Sequence, residues 1–174
     1  MLDLKTYIRD VPDFPKKGIV FKDITTLLIN ADAFRDTIHA LCNPHREQKP
    51  DAIVGIESRG FILGSAMAYE LGVPFVPVRK PGKLPAETVR EEYTLEYGKD
   101  AIEIHRDAIR KGMRVLIVDD LLATGGTASA TVHLIQKLGG SVIGVSFLIE
   151  LSFLKGRSLL KDIPIHTLIS YLAE

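Results

Sequence analysis

One cysteine in 174 residues, Cys42, excludes an internal disulfide framework and suits a reducing compartment, with packing as its expected role. Net charge is missing too: 22 Lys and Arg offset 22 Asp and Glu, so any basic cluster has to be local. No apolar run approaches the roughly 20 residues that a membrane helix requires, and the opening MLDLKTYIRD has no signal-peptide core. A soluble, cytoplasmic protein is therefore expected. His39 and His45 stand apart from other metal-ligating residues, which leaves no metal site; His39 is expected on a solvated helix face and His45 in a polar linker. No repeat, low-complexity tract or nucleic-acid-binding element is visible. What remains, at 46% hydrophobic residues, is one globular domain over 1–174 with a true core.

The most informative stretch is VLIVDDLLATGGT, from Val115 to Thr127. Val115–Val118 predicts a strand buried on both faces of a parallel sheet. Asp119 and Asp120 are expected to end it, at the rim where open α/β sheets bind ligands. Ala123, Thr124, Gly125, Gly126 and Thr127 follow, two adjacent glycines that let backbone amides close on an anion and two hydroxyls that add donors. From Ala128 the apolar positions recur at helical spacing as far as the Gly139–Gly140 stop. Together these features make a site for a sugar phosphate, with amides and helix dipole for the phosphate and carboxylates for vicinal hydroxyls. An ordinary strand-turn-helix unit is the plainer reading. A receiver domain also carries an acid pair, but on its first strand, whereas here over a hundred residues come before.

Taken in order, Leu2–Arg9 predicts a short amphipathic helix, and Pro12 and Pro15 an irregular segment. Gly18 marks a turn before Ile19, Val20 and Phe21, by pattern an arm that packs Phe21 into the core, with Lys22 and Asp23 after it. Asp32–Leu41 reads as a helix. DAIVGI, 51–56, reads as a parallel strand ending in Glu57, Ser58, Arg59 and Gly60 on the same rim as the acid pair. Val73–Val78, broken by Pro74 and Pro77, suits an edge strand. RKPGKLPAETVREEY, with Arg79, Lys80, Lys83 and Arg90, reads as a long mobile loop. Tyr93–His105 alternates about Gly98–Lys99–Asp100 as a hairpin. Ser141–Ile149 is a further strand ending at Glu150 and Leu151, and the tail turns at Gly156.

These segments, in this order, resemble the type I phosphoribosyltransferases, and FPKKGIVFKDIT, ESRGF, RKPGKLP, LEYGK and ELSFLKGR resemble the adenine-specific members. The resemblance implies an α/β fold, a mainly parallel twisted sheet flanked by helices, with a small N-terminal hood over about 1–30 and a flexible lid and hairpin over about 79–105. It implies transfer of the 5-phosphoribosyl group of phosphoribosyl diphosphate (PRPP) to N9 of adenine, giving AMP and pyrophosphate in purine salvage. Under it, Asp119 and Asp120 hold the ribose hydroxyls and Ala123–Thr127 the 5-phosphate. Ser58, Arg59, Arg79, Lys80 and Lys83 bind pyrophosphate, Ser58 through a nonproline cis peptide, and Arg79 reaches the partner subunit's site. Val20, Phe21, Lys22 and Leu151 enclose adenine, Leu151 alternatively being a plain core leucine. Family members often have arginine at the place of Lys22. Glu96 handles a purine proton as general acid/base or acts as an electrostatic stabiliser, and Tyr97 packs beside it in the lid. Mg²⁺ is expected on PRPP oxygens and water with no direct protein ligand, and a homodimer is implied. An oxopurine-specific relative and a noncatalytic PRPP sensor are the alternative readings.

Overall fold

The computed structural model describes residues 2–95 and 98–173. After a 3-10 turn at Leu4–Tyr7, strands β1 (Arg9–Val11) and β2 (Phe21–Asp23) pair as an antiparallel ribbon. Helices α1 (Thr25–Leu28) and α2 (Ala31–Cys42) lead to strand β3 (Ala52–Ile56), helix α3 (Arg59–Leu71) and strand β4 (Phe75–Val78). A hairpin of β5 (Thr88–Leu95) and β6 (Gly98–His105) follows, then β7 (Arg114–Leu122), α4 (Gly126–Lys137), β8 (Ser141–Leu151) and β9 (Ile165–Tyr171).

Five of these strands form a parallel sheet in the order β4-β3-β7-β8-β9. Alternation along each strand divides the apolar residues between two cores. Val54, Ile56, Val115, Ile117 and Phe147 face α4 and the hairpin residues Ile102 and Ile104. Ile53, Leu116, Val118 and Leu148 face α2 and α3 through Ile38, Leu41, Leu63 and Met67. Burial on both faces explains why these strands read as continuous apolar runs. β4 lies at the sheet edge, where Pro77 costs no interior ladder bond.

Several sequence expectations need correction. Leu2–Arg9 is not an amphipathic helix but the single turn Leu4–Tyr7, because Asp3 caps Lys5 and Arg9 is drawn into pairing with Asp23 of β2. The acid pair does not end β7. β8 runs beside it as far as Leu151, so the backbone of Asp119–Leu122 still has partners while the carboxylates turn into a cleft. The stretch after Lys83 is not all loop, since Thr88 onward forms β5 and Val89 packs on the first core. Gly98, Lys99 and Asp100 do not form the hairpin turn but pair with Leu95, Thr94 and Tyr93 inside the β5–β6 ladder. His45, expected in a polar linker, closes the 3-10 turn Asn43–His45 and is buried, with Nε2 2.7 Å from Ser146 Oγ and Nδ1 3.0 Å from Gln48 Oε1. Cys42 is buried as expected, and burial pushes its thiol pKa up to about 12.

Candidate active site

The carboxyl ends of β3 and β7 meet in a cleft of about 230 Å³, lined by Glu57, Ser58, Arg59, Lys80, Asp119, Asp120 and Thr127 among others. It adjoins a smaller hollow of about 70 Å³ formed by Ala123–Ala128, Leu121, Leu122, Asp119 and Phe147. Asp120 is 5% exposed, and its Oδ2 lies 3.0 Å from Arg59 Nη2, an ion pair that lacks hydrogen-bond alignment. Asp119 Oδ1 accepts the Asp120 amide at 2.8 Å. Burial raises the Asp119 pKa well above the usual carboxylate range, and the neighbouring Asp120 charge raises it further. Asp120 is also raised by burial, with Arg59 opposing the shift. Gly60 explains why α3 can start so close: a methyl group there would lie 2.8 Å from Asp119 Oδ1 and 2.9 Å from the Val118 carbonyl oxygen.

The glycine turn behaves as its sequence suggests. Gly125 takes φ +84 and is the N-cap of α4, and it contributes no side-chain bond to the first helical turn. Amides at such an end are suited to an anion.

Glu57 gathers the cations. Its Oε1 accepts from Arg79 Nη2 at 3.1 Å and lies 3.4 Å from Lys83 Nζ, while Oε2 accepts the Lys80 amide at 2.8 Å. Burial works against the charge of Glu57, yet these bonds outweigh it and hold its carboxyl below the ordinary value. Arg79 Nε is buried without a hydrogen-bond partner. Lys80 is held by Asp100, and its Nζ also donates to Tyr93 Oη at 3.1 Å. The Glu57–Ser58 peptide is cis, and Ser58 is the N-cap of α3.

On the opposite side, the Arg59 guanidinium lies 4.8 Å from the Phe21 ring centroid, and Phe14 meets Phe21 edge to face. Val20 is half-buried just before β2. Lys22 faces the other way. Its ammonium is buried, 2.9 Å from Asp10 Oδ1 and 4.2 Å from the Tyr171 ring centroid, as alternation on a strand requires. Leu151 is half-buried against the second core and pairs with Tyr171.

Ser58, Arg59, Lys80, Asp119, Asp120 and Ala123–Thr127 therefore converge; Arg79 and Lys83 join them through Glu57, and Phe21 through Arg59. The Lys22 side chain is directed elsewhere. Glu96 and Tyr97 lie outside the described residues. The sequence reading sets Glu57 on the rim and Asp100 in a hairpin turn but gives neither of them, nor Tyr93, a part of its own in the site. Glu57 carried the same signal as Asp119, an acid closing an apolar strand, whereas Tyr93 and Asp100 become visible only once they face each other across the hairpin.

A parallel sheet with an acid pair and a glycine turn at one strand end is the arrangement of a phosphoribosyl transferase domain, and the family of that description matches residues 23–163. The adenine phosphoribosyltransferase of Thermotoga petrophila is 59% identical over 170 residues, covering 98% of this chain and all of that one. The crystal structure of adenine phosphoribosyltransferase from Thermoanaerobacter pseudethanolicus superposes with a TM-score of 0.95 at 55% identity, covering 97% of this chain and 98% of that chain. That of Saccharomyces cerevisiae, complexed with an imino-altritol bisphosphate and adenine, gives 0.91 at 44% identity, covering 95% and 96%. The chain therefore belongs to the adenine phosphoribosyltransferase family.

Proposed function

We infer that the chain transfers the 5-phosphoribosyl group of PRPP to N9 of adenine, giving AMP and pyrophosphate in purine salvage. The observation that carries this reading is the convergence of Asp119 and Asp120, the 123–127 turn and Arg59 on one rim, with Arg59 Nη2 3.0 Å from Asp120 Oδ2. The N9 lone pair attacks C1′ as the bond from C1′ to the pyrophosphate oxygen breaks, and N9 gives up its proton. Positive charge grows on the ribose ring and negative charge on the leaving group, so the protein acts by positioning and by opposing those charges.

In this reading Asp119 and Asp120 accept the ribose hydroxyls and set negative charge beside the ring. Amides of Ala123–Thr127 and the N-terminus of α4 receive the 5-phosphate. Ser58, Arg59, Arg79, Lys80 and Lys83 face the pyrophosphate, and Arg79 and Lys83 exchange Glu57 for it. The β1–β2 ribbon acts as a hood, Val20 and Phe21 covering one side of adenine and Leu151 the other, while the β5–β6 hairpin acts as a lid over one domain. Lys22 steadies the hood through Asp10 and Tyr171. Glu96 manages the purine proton and Tyr97 packs beside it.

Mg²⁺ fits the donors around the cleft as an ion held through PRPP oxygens and water. In this reading Asp119 and Asp120 are turned to the ribose hydroxyls and Glu57 keeps the Lys80 amide, so the ion takes its oxygens from PRPP and water. When bound, the ion supplies positive charge to the leaving pyrophosphate. A homodimer and a cytoplasmic location complete the proposal. The exposed α3 residues Ile62 and Tyr69, with Ala66 between them, offer one apolar face to a second copy. The buried thiol of Cys42 suits a reducing compartment. Among the described residues no helix is long and apolar enough to cross a membrane.

The test is purine consumption with PRPP and Mg²⁺, offering adenine, hypoxanthine, guanine and xanthine separately. AMP formation from adenine alone is expected. Turnover of an oxopurine would overturn the base assignment, and PRPP binding without turnover would make the chain a sensor.

A further inference from the structure

The ELSFLKGR segment carries two residues, Gly156 and Arg157, to which the proposed chemistry gives no part. Glu150, 5% exposed at the end of β8, receives Arg157 in a two-pronged bond, Nε to Oε1 and Nη2 to Oε2, each 2.7 Å. Thr167 of β9 adds a third donor to Glu150 Oε2 at 3.2 Å. The Arg157 contact holds the Glu150 carboxyl below its ordinary range, so the pair stays charged through neutral pH. Between the two partners the chain makes a 3-10 turn at Ser152–Leu154, passes through left-handed Lys155 at φ 56, and turns again at Gly156–Leu159.

That loop presses on the glycine turn with backbone against backbone. A side chain at Gly156 would run into the Ala123 carbonyl oxygen, and one at Gly125 would run into the Gly156 carbonyl oxygen. Only glycine at both positions permits this approach. Leu151, the residue after Glu150, begins the same loop. One ion pair thus stands behind two substrate surfaces, the wall beside the base and the turn beneath the phosphate.

We propose that Glu150, Arg157 and Gly156 are positioning residues: the ion pair fixes the 151–156 loop, and Gly156 holds the 123–127 turn in the shape that receives the 5-phosphate. The proposal rests on the reading of 123–127 as the phosphate site. A displacement of about 1 Å at such a site is enough to cost about 100-fold. The pyrophosphate-facing groups of the ESRG and lid segments belong to other elements and keep their places.

The experiment compares dissociation constants for ribose 5-phosphate and for pyrophosphate with Mg²⁺, together with KM for PRPP and adenine, in wild type, Gly156→Ala and Arg157→Gln. Gly156→Ala should weaken ribose 5-phosphate by at least about tenfold while pyrophosphate affinity stays within about twofold. Arg157→Gln should raise KM for both PRPP and adenine, and millimolar guanidinium should restore part of the loss by refilling the Glu150 fork. If Gly156→Ala does not fold, Arg157→Gln and its rescue decide the matter. Unchanged ribose 5-phosphate affinity in a folded variant overturns the proposal, as does an equal loss of ribose 5-phosphate and pyrophosphate, which would mark general disorder. Failure of the wild type to make AMP would instead sink the reading on which the proposal rests.

Discussion

Asp119 and Asp120 show how burial shapes chemistry at the scale of single residues. Both carboxyls are pushed upward by desolvation, and Arg59 offsets this for Asp120 more than for Asp119. To accept ribose hydroxyls they must be ionised, so kcat/KM for PRPP should fall on the acid side at a pH above the ordinary aspartate value of 3.8. Asp119→Asn should lower kcat roughly 100-fold or more with the melting temperature kept, and it should move that acid limb, since Asp120 alone is left to titrate. A pH profile of the variant that still bends in the wild-type place would remove Asp119 from the role. The acid pair was legible because two charges after an apolar run have few structural uses. The pointing of Lys22 was not legible, since alternation turns it away from Phe21 only if the arm is a strand, and that follows from pairing with β1. His45 was misread for a similar reason: its partner Ser146 is 101 positions away in sequence.

At the scale of elements, the ribbon of β1 and β2 is the least independent piece, three residues in each strand. Asp23 secures it by accepting the Thr25 amide at 2.9 Å and Arg9 Nη2 at 2.6 Å. The Thr25 amide first and Arg9 second lower the Asp23 pKa from 3.8 to about 2. A depressed carboxylate stabilises the folded state fully above its unfolded value and loses that contribution as pH falls, here between 3.8 and about 2. Asp23→Asn should therefore melt lower than wild type at neutral pH, and the difference should close across that window. Thermal melts from neutral to acid pH would check this, and a constant offset would count against it. The parallel strands were readable from sequence because burial on both faces leaves an unbroken apolar run. The hairpin turn was misplaced because Gly98 and Asp100 carry turn chemistry yet sit inside β6, where register with β5 overrides local preference.

For the whole molecule, the sheet order places β3 and β7 side by side, which brings segments sixty residues apart in sequence to one rim. Motif order alone could suggest that neighbourhood but not its distances. The face of α3 bearing Ile62 at 40% and Tyr69 at 92% exposure stands away from that rim's cleft. Tyr69→Arg should shift the assembly toward a single copy in light scattering, because a desolvated cation opposes burial of the face. An unchanged mass would exclude this face from the interface.

The Tyr171 ring, in the last strand, carries the ammonium of Lys22 at 4.2 Å and that of Lys5 at 4.6 Å. Opposite ends of the sequence are thus stitched at one aromatic face, and sequence position ceases to say which substrate a lesion will affect. Tyr171→Leu, about 150 residues after the hood, should raise KM for adenine several-fold while leaving pyrophosphate affinity alone, since cation–aromatic contacts of this kind contribute about 0.5–2 kcal/mol each. Variation in the final strand would then register as a base-recognition defect, and a screen that sorted variants by distance along the chain would assign it to the wrong half of the protein.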